Sequence, residues 1–449
     1  MTRILFWNIE TFALNKIADP STSPVKKGSK QKKNERAKDR LAYIRHVFDV
    51  VKPQVIVVVE VETGYDARGR LARGAGLSGS VRLLDELRGS MGAAWMLIPP
   101  IQTGPKEAVA VYYDSTRRFF TGPYRWPGGA EATAAAAAVT GDYPSGPGPD
   151  LMACLPDPKD GAKPRGAIPQ GAQYNIGRDE RRCAARTTDF TARVTKKTIP
   201  WGDKARAPYM VTFAETNAKG TVVRNLTLFA VHAPASAFNA PTYMEWLSVT
   251  TQIVDARAAN EVRVVLGDFN VNLLDAETYE LKAAYKLLPE QGYKRALDPL
   301  PSAPTPLKGY PGYFATHIRG RKKAACWGTT EAPARYPGYA YTGSDQWKNF
   351  YAIDNIFVWG AKPTNFTVLN PIVGTPLDLY APSWFLPRLG GHIELKRLTA
   401  VPPYPAAAGA NPPKLGPPNL GGVIGAFRGW KNYGRIRSAS DHLALAIDV

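Results

Sequence analysis

Cysteine is scarce: Cys154, Cys183 and Cys326 are three in 449 residues, widely spaced and without a C-x-x-C pair. An odd, sparse set argues against a disulfide framework and against a cysteine zinc site, and reduced thiols are the expectation. Long apolar runs are also missing. No stretch approaches the roughly 18 apolar residues of a membrane-spanning helix. The N-terminus, Met1-Thr2-Arg3-Ile4-Leu5-Phe6-Trp7-Asn8, meets Glu10 too soon for a secretory apolar region and reads as a strand. The expectation is a soluble, cytoplasmic protein. Acidic residues are in deficit, 38 Asp and Glu against 57 Lys and Arg, leaving a formal charge of +19. Such a surplus attracts polyanions whatever their sequence, nucleic acid first and anionic membrane second.

What is present is a series of short strand-like runs. Ile4–Ile9, Val55–Val61, Ala108–Tyr113, Tyr209–Phe213, Leu226–His232, Val262–Leu266, Ala352–Val358 and Leu443–Val449 are rich in β-branched and aromatic residues and bounded by polar or turn residues. Two segments carry helical periodicity. Lys38–Val51 places Leu41, Ile44, Phe48 and Val51 on one face and stops at Lys52-Pro53, and Pro241–Asn260 places Met244, Leu247, Ile253 and Ala256 similarly. Strands in runs, with helices between some of them, fit an α/β sandwich better than a strictly alternating parallel sheet. Three stretches read as insertions in a single domain: a basic block at 20–40, a Gly/Pro/Ala-rich stretch at 127–175 and a Pro-rich one at 360–425. The first has the composition of a solvated loop, and the other two cannot bury much apolar surface.

Several of the runs end in polar residues that an apolar core would not select. Asn8 follows Leu5-Phe6-Trp7, Glu60 ends Val55–Val59, and His232 ends Leu226–Val231. Asp268 and Asn270 follow Val264-Val265-Leu266-Gly267, Asp354 lies inside Tyr351–Val358, and Asp441 and His442 precede the last strand. Any one of them alone is an ordinary turn or cap residue. Together, on strands lying side by side, they converge on one rim where a rigid sheet holds side chains in place. The set suits phosphodiester cleavage. Oxygen ligands such as Asn8 and Glu60 suit a hard cation that relieves phosphate charge. Asp268 is placed to orient or deprotonate water, with Asn270 fixing it, and a histidine held by a carboxylate donates to the phosphate.

The segments Gly267-Asp268-Phe269-Asn270 and Ser440-Asp441-His442, the opening Trp7-Asn8 and the Glu60 strand, in this order, resemble the endonuclease/exonuclease/phosphatase superfamily. Phe229–Ser236 with its His232, Lys106-Glu107 before Ala108–Tyr113, and Arg206-Ala207-Pro208-Tyr209 are most similar to the deoxyribonuclease I-like branch. The resemblance covers the core strands, a little over half of the chain, and none of the insertions. It implies a four-layer sandwich of two packed mixed β-sheets flanked by helices. It also implies Mg²⁺, with Mn²⁺ or Ca²⁺ as alternatives, held by Asn8, Glu60 and Asp441. His442 oriented by Asp354, and His232 oriented by Glu107, would straddle the scissile phosphate, which Arg206 would grip. The implied activity is metal-dependent nuclease hydrolysis, of DNA before RNA. Alternatives are a phosphatase or phospholipid phosphodiesterase on the same fold and a non-catalytic nucleic-acid binder. Glu62 faces the same side of a regular strand as Glu60 and competes for the ligand role.

His46 is expected on a helix surface, His392 falls in the Pro-rich insertion, and His317 precedes Arg319-Gly320-Arg321-Lys322-Lys323. That basic run, with Tyr310, Tyr313 and Trp327 nearby, reads as a solvated loop or a patch gripping a nucleic-acid backbone. Gly177–Arg182 reads as a surface cluster of mixed charge.

Overall fold

Among the described residues, the apolar runs and shorter segments beside them form twelve strands in the computed structural model. It describes residues 1–17, 29–64, 72, 74–121, 125, 128–129, 190, 192, 199, 201, 205–235, 239–273, 281–298, 316–317, 352–369 and 439–449. The strands are β1 (Arg3–Phe12), β2 (Val55–Glu62), β3 (Trp95–Gly104), β4 (Glu107–Asp114), β5 (Arg118–Phe120), β6 (Tyr209–Thr216), β7 (Val222–His232), β8 (Glu261–Asp268), β9 (Lys294–Arg295), β10 (Asp354–Trp359), β11 (Thr364–Val368) and β12 (Leu445–Asp448). They make two six-stranded sheets, ordered β11-β12-β1-β2-β4-β3 and β5-β6-β7-β8-β10-β9. Both sheets are mixed: β1 runs parallel to β2 and β7 parallel to β8, while the other ladders are antiparallel.

The sheets pack face to face, with β1 against β8 and β2 against β7. Val55 to Val59 and Val264 to Leu266 are fully buried, which explains why these strands read as continuous apolar runs rather than alternating ones. Helices α1 (Leu14–Ile17), α2 (Ser29–Val51), α3 (Ala75–Met91), α4 (Asn239–Val249), α5 (Thr251–Val254) and α6 (Leu287–Glu290) supply the outer layers. Tyr43 of α2 meets Trp7 edge to face at 5.7 Å between ring centroids. Among the described residues no helix is long and apolar enough to cross a membrane.

Two elements differ from the sequence-based expectation for physical reasons. The helix expected at 38–51 begins at Ser29, so the second part of the basic block, Lys30 to Arg40, lies on a helix rather than in a loop. Lys, Gln, Arg, Glu and Ala all propagate helices well. The periodicity across Pro241–Asn260 is broken at Thr250, whose backbone is extended (φ −74°, ψ 116°). Val249, Thr250 and Thr251 are three consecutive β-branched residues, which helices disfavour. Strand β3 is not among the strand-like runs, and it contains Pro99-Pro100. It is the outermost strand of its sheet, where a missing N–H breaks no ladder.

Residues 20–28, most of 127–175 and 370–425 lie outside the described residues, as do the three cysteines, His392, Gly177–Arg182 and the basic run after His317. Residues 364–368, inside the Pro-rich stretch, form edge strand β11.

Candidate active site

Strand register gathers the polar residues. The parallel pairing of β7 and β8 sets His232 beside Asp268, and the antiparallel pairing of β8 and β10 sets Asp354 on the other side of Asp268. Gly267 allows this approach, because a Cβ there would overlap the Val231 carbonyl oxygen. In the other sheet Asn8 lies opposite Val59, one residue before Glu60. Asn8 then joins the two sheets: its Nδ2 donates to Glu60 Oε1 at 2.9 Å and to Asp268 Oδ2 at 3.1 Å. The C-terminal segment is fastened to the same place. Ser440 Oγ donates to the Asn8 carbonyl and accepts from His442 N at 2.9 Å, while Trp7 Nε1 donates to His442 O at 2.9 Å.

Two histidines flank Asp268. His442 Nε2 and His232 Nε2 each lie 3.6 Å from Asp268 Oδ2. Behind each ring stands a carboxylate, Asp354 Oδ2 at 2.8 Å from His442 Nδ1 and Glu107 Oε2 at 2.8 Å from His232 Nδ1. Burial opposes charge on His442, but Asp354 and Asp268 outweigh it and hold the imidazole well above its ordinary pKa. Burial likewise opposes charge on His232, and Glu107 with Asp268 reverses the outcome against Arg206. Glu107 shows the converse: burial disfavours its charge, yet His232 and Arg206 keep it below the ordinary carboxylate value. Burial, helped by Asp354, pushes Asp268 up to about 6 against the pull of both histidines and the Asn270 amide.

Asn8 and Glu60 fit a cation site by their own chemistry. The Asn8 amide is fixed, since turning it over would aim its oxygen at two carboxylates. So held, Oδ1 is buried and has no hydrogen-bond partner. An orphaned buried oxygen beside a carboxylate fits a hard cation. One ligand atom each from Glu60, Asp268 and His442 also lies within 4.8 Å of the others. Glu60 sits in a β-bulge: Val58 opposes Ala110 and Val61 opposes Ala108, so β2 carries one extra residue. Its backbone is left-handed, φ 59°, a conformation uncommon outside glycine and frequent at functional sites. The bulge breaks the two-residue alternation that would give Glu60 and Glu62 one facing. Glu60 turns to Asn8, while Glu62 is exposed.

The remaining expected residues are arranged around this centre. Asn270, also left-handed (φ 51°), donates from its backbone N to Asp268 Oδ1 at 2.8 Å and from Nδ2 to Ala233 O at 2.8 Å. Its side-chain oxygen is the acceptor left over. Arg206 grips Glu107 with two nitrogens, Nε 2.5 Å from Oε2 and Nη2 2.6 Å from Oε1. Asp441 lies on the outer side of His442, with Oδ1 3.9 Å from its Nε2.

Two residues had no role in the sequence reading. Thr316 Oγ1 donates to Asp354 Oδ2 at 2.7 Å and accepts from the Ile353 and Asp354 backbone amides, fixing the carboxylate behind His442. His317 pairs with Asp441 at 3.4 Å and bridges to His442 through the backbone. Burial and the charge on His442 hold the His317 imidazole below its ordinary value despite Asp441. The Ala315-Thr316-His317 triplet alone carries no signal for either role.

The endonuclease/exonuclease/phosphatase family model matches residues 5–442. No curated protein matches at a significant level. A humanized D. rerio TDP2 is similar in structure, at 9% identity and TM-score 0.37, covering 100% of this chain and 99% of the other. The Neisseria 3′ phosphatase NExo, bound to a product DNA hairpin, shows 10% identity and TM-score 0.36, with 100% and 99% covered. An endonuclease/exonuclease/phosphatase family protein from Leptotrichia buccalis shows 11% identity and TM-score 0.39, again with 100% and 99% covered.

Proposed function

This chain belongs to the endonuclease/exonuclease/phosphatase family, and from that premise we propose that it is a Mg²⁺-dependent nuclease hydrolysing phosphodiester bonds. The reading is carried by one arrangement: two histidines, each backed by a carboxylate, lie 3.6 Å from the same Asp268 oxygen beside the orphaned Asn8 Oδ1. Asn8 and Glu60 would hold the cation, which when bound relieves charge on the phosphate oxygens.

Asp268 orients the attacking water and accepts its proton. A carboxyl pushed up to about 6 is ionised at neutral pH yet basic enough to take a proton. The acceptor oxygen of Asn270 holds that water in line. His442 and His232, both raised toward their charged forms, donate to the phosphate oxygens as negative charge builds there. Asp354 and Glu107 keep each ring in orientation and favour its charge. Arg206 fixes Glu107 and adds a positive charge on the substrate side. Asp441 supports the His442 charge from its other flank. DNA is the preferred polymer in this reading, and the +19 surplus supports a polyanionic substrate.

The test is cleavage of plasmid, single-stranded DNA and RNA by the purified chain with Mg²⁺ and with chelator. Metal-dependent cleavage that chelator abolishes is expected. Absence of cleavage with Mg²⁺, Mn²⁺ and Ca²⁺ rejects the nuclease reading. Faster release of phosphate from inositol phosphates, or of headgroup from vesicles, would move the substrate away from nucleic acid.

A further inference from the structure

On the outer flank of His442 stands a donor cluster of which the hydrolytic reading uses only a part. His317 Nε2 is 3.4 Å from Asp441 Oδ2, and His442 Nε2 is 3.9 Å from Asp441 Oδ1. One ligand atom from each of the three side chains lies within 4.8 Å of the others. The imidazoles meet edge to face with centroids 4.9 Å apart. This is built by the backbone rather than by chance surface proximity. His317 and His442 form an antiparallel bridge, and Leu443 N donates to Thr316 O at 2.7 Å.

Two imidazoles and one carboxylate are not the donors that Mg²⁺ or Ca²⁺ selects. They are the set of a borderline cation such as Zn²⁺, which takes three protein ligands and leaves a fourth position for water or substrate. A tetrahedral ion with bonds of about 2.0–2.2 Å keeps its donor atoms roughly 3.4 Å apart. The 3.4 Å from His317 Nε2 to Asp441 Oδ2 already matches that spacing, and His442 Nε2 lies 3.9 Å from the other oxygen of the same carboxylate. His442 also has the usual support of a metal-bound imidazole: its Nδ1 is 2.8 Å from Asp354, which leaves Nε2 directed away from that carboxylate.

We propose that His317, Asp441 and His442 form a second cation position that takes Zn²⁺, and that filling it inhibits hydrolysis. The inhibition follows because one Nε2 lone pair cannot serve the cation while the same nitrogen donates a hydrogen bond to phosphate. Binding stands on the donor cluster itself, whereas inhibition rests on the phosphate role of His442 given above. The oxygen-lined position at Asn8 and Glu60 differs in its oxygen donors and adjoins this one at His442, whose ring also groups with Glu60 and Asp268.

The experiment titrates Mg²⁺-saturated protein with Co²⁺, a coloured substitute for Zn²⁺, and then adds Zn²⁺. Visible absorption from a bound, low-coordinate ion is expected, lost on Zn²⁺ addition. His317→Ala and His317→Gln, checked by circular dichroism for an unchanged fold, should weaken this binding by at least ~10–100-fold. Glu60→Gln should leave it in place. In the cleavage assay, the Zn²⁺ concentration that inhibits should rise by the same factor in the His317 variants. No absorption, or absorption that survives both His317 substitutions, overturns the site. Binding lost in the variants with no Zn²⁺ inhibition of wild type overturns the inhibition and the phosphate role of His442 together. A protein that cleaves nothing fails as a nuclease, and its Co²⁺ spectrum still decides the site.

Discussion

Asp354→Asn isolates charge from shape. The side chain is fully buried, and Oδ2 accepts from Thr316 Oγ1 at 2.7 Å and pairs with His442 Nδ1 at 2.8 Å. Asparagine has nearly the same volume and keeps one oxygen for these donors, but it removes the negative charge. Burial already opposes charge on His442, and Asp354 is the foremost group working against burial. Without it the His442 pKa falls from its raised position. In the proposed mechanism the charged ring is the form that donates to phosphate, so activity is lost as pH rises through this pKa. The variant should therefore lose activity at lower pH than wild type. At the His442–Asp354 contact, a charge-assisted hydrogen bond of about 1.5–3 kcal/mol becomes a neutral one of about 0.5–1.5 kcal/mol. The difference, about 1–2 kcal/mol, is roughly a 5–30-fold loss in kcat/KM at neutral pH. The assay is kcat/KM on a nuclease substrate from about pH 5.5 to 9, with Mg²⁺ saturating. A uniform loss with the alkaline limb unmoved would refute the reasoning, because Asp354 would then hold the ring in place without setting its charge.

Asp268→Ala should lower kcat by roughly 10³-fold or more while circular dichroism stays native, since groups that act as a unit are lost as a unit. Gly267→Ala drives a Cβ into the Val231 carbonyl and should cost about 1–3 kcal/mol in urea unfolding, with activity falling further as His232 and Asp268 are pushed apart. Away from the site, Glu261 is buried and accepts from Thr227 Oγ1 at 2.9 Å and from Arg263 Nε at 3.1 Å. Burial raises its pKa, but Arg263, Thr227 and Arg125 bring it below the ordinary value. Its stabilisation is therefore complete above the unfolded carboxylate pKa and is lost as pH falls through the folded one. Glu261→Gln should cost about 3–5 kcal/mol at neutral pH by leaving Arg263 buried without its partner. Urea curves of wild type and variant should converge in acid, and a gap that persists there would assign the loss to packing instead.

Much of the site could be read because polar residues interrupt apolar runs at their ends. Asn8, Glu60, His232 and Asp268 each follow buried β-branched or aromatic residues that only a strand would explain. Why they meet is a matter of strand direction. Neighbouring parallel strands finish at the same edge of a sheet, so β1 with β2, and β7 with β8, bring their polar ends together. The two parallel pairs then face each other across the sandwich, β1 on β8 and β2 on β7. Antiparallel neighbours start at that same rim, which is why Glu107 opens β4 and Asp354 opens β10. What stayed hidden depends on contacts that no local pattern encodes. The bulge that separates Glu60 from Glu62 is invisible to a two-residue period. Helix α3 is not among the expected helices, and it carries Gly76 and Gly79, residues that weaken a helical pattern. They are there because a Cβ would overlap the Glu62 carbonyl and the Ala13 backbone. His317 is the sharpest case. Its sequence neighbours are basic and loop-like, and it reaches the site only through a bridge to His442 near the far end of the chain. A long-range pairing of this kind leaves no periodicity, and it puts a third histidine beside the candidate site.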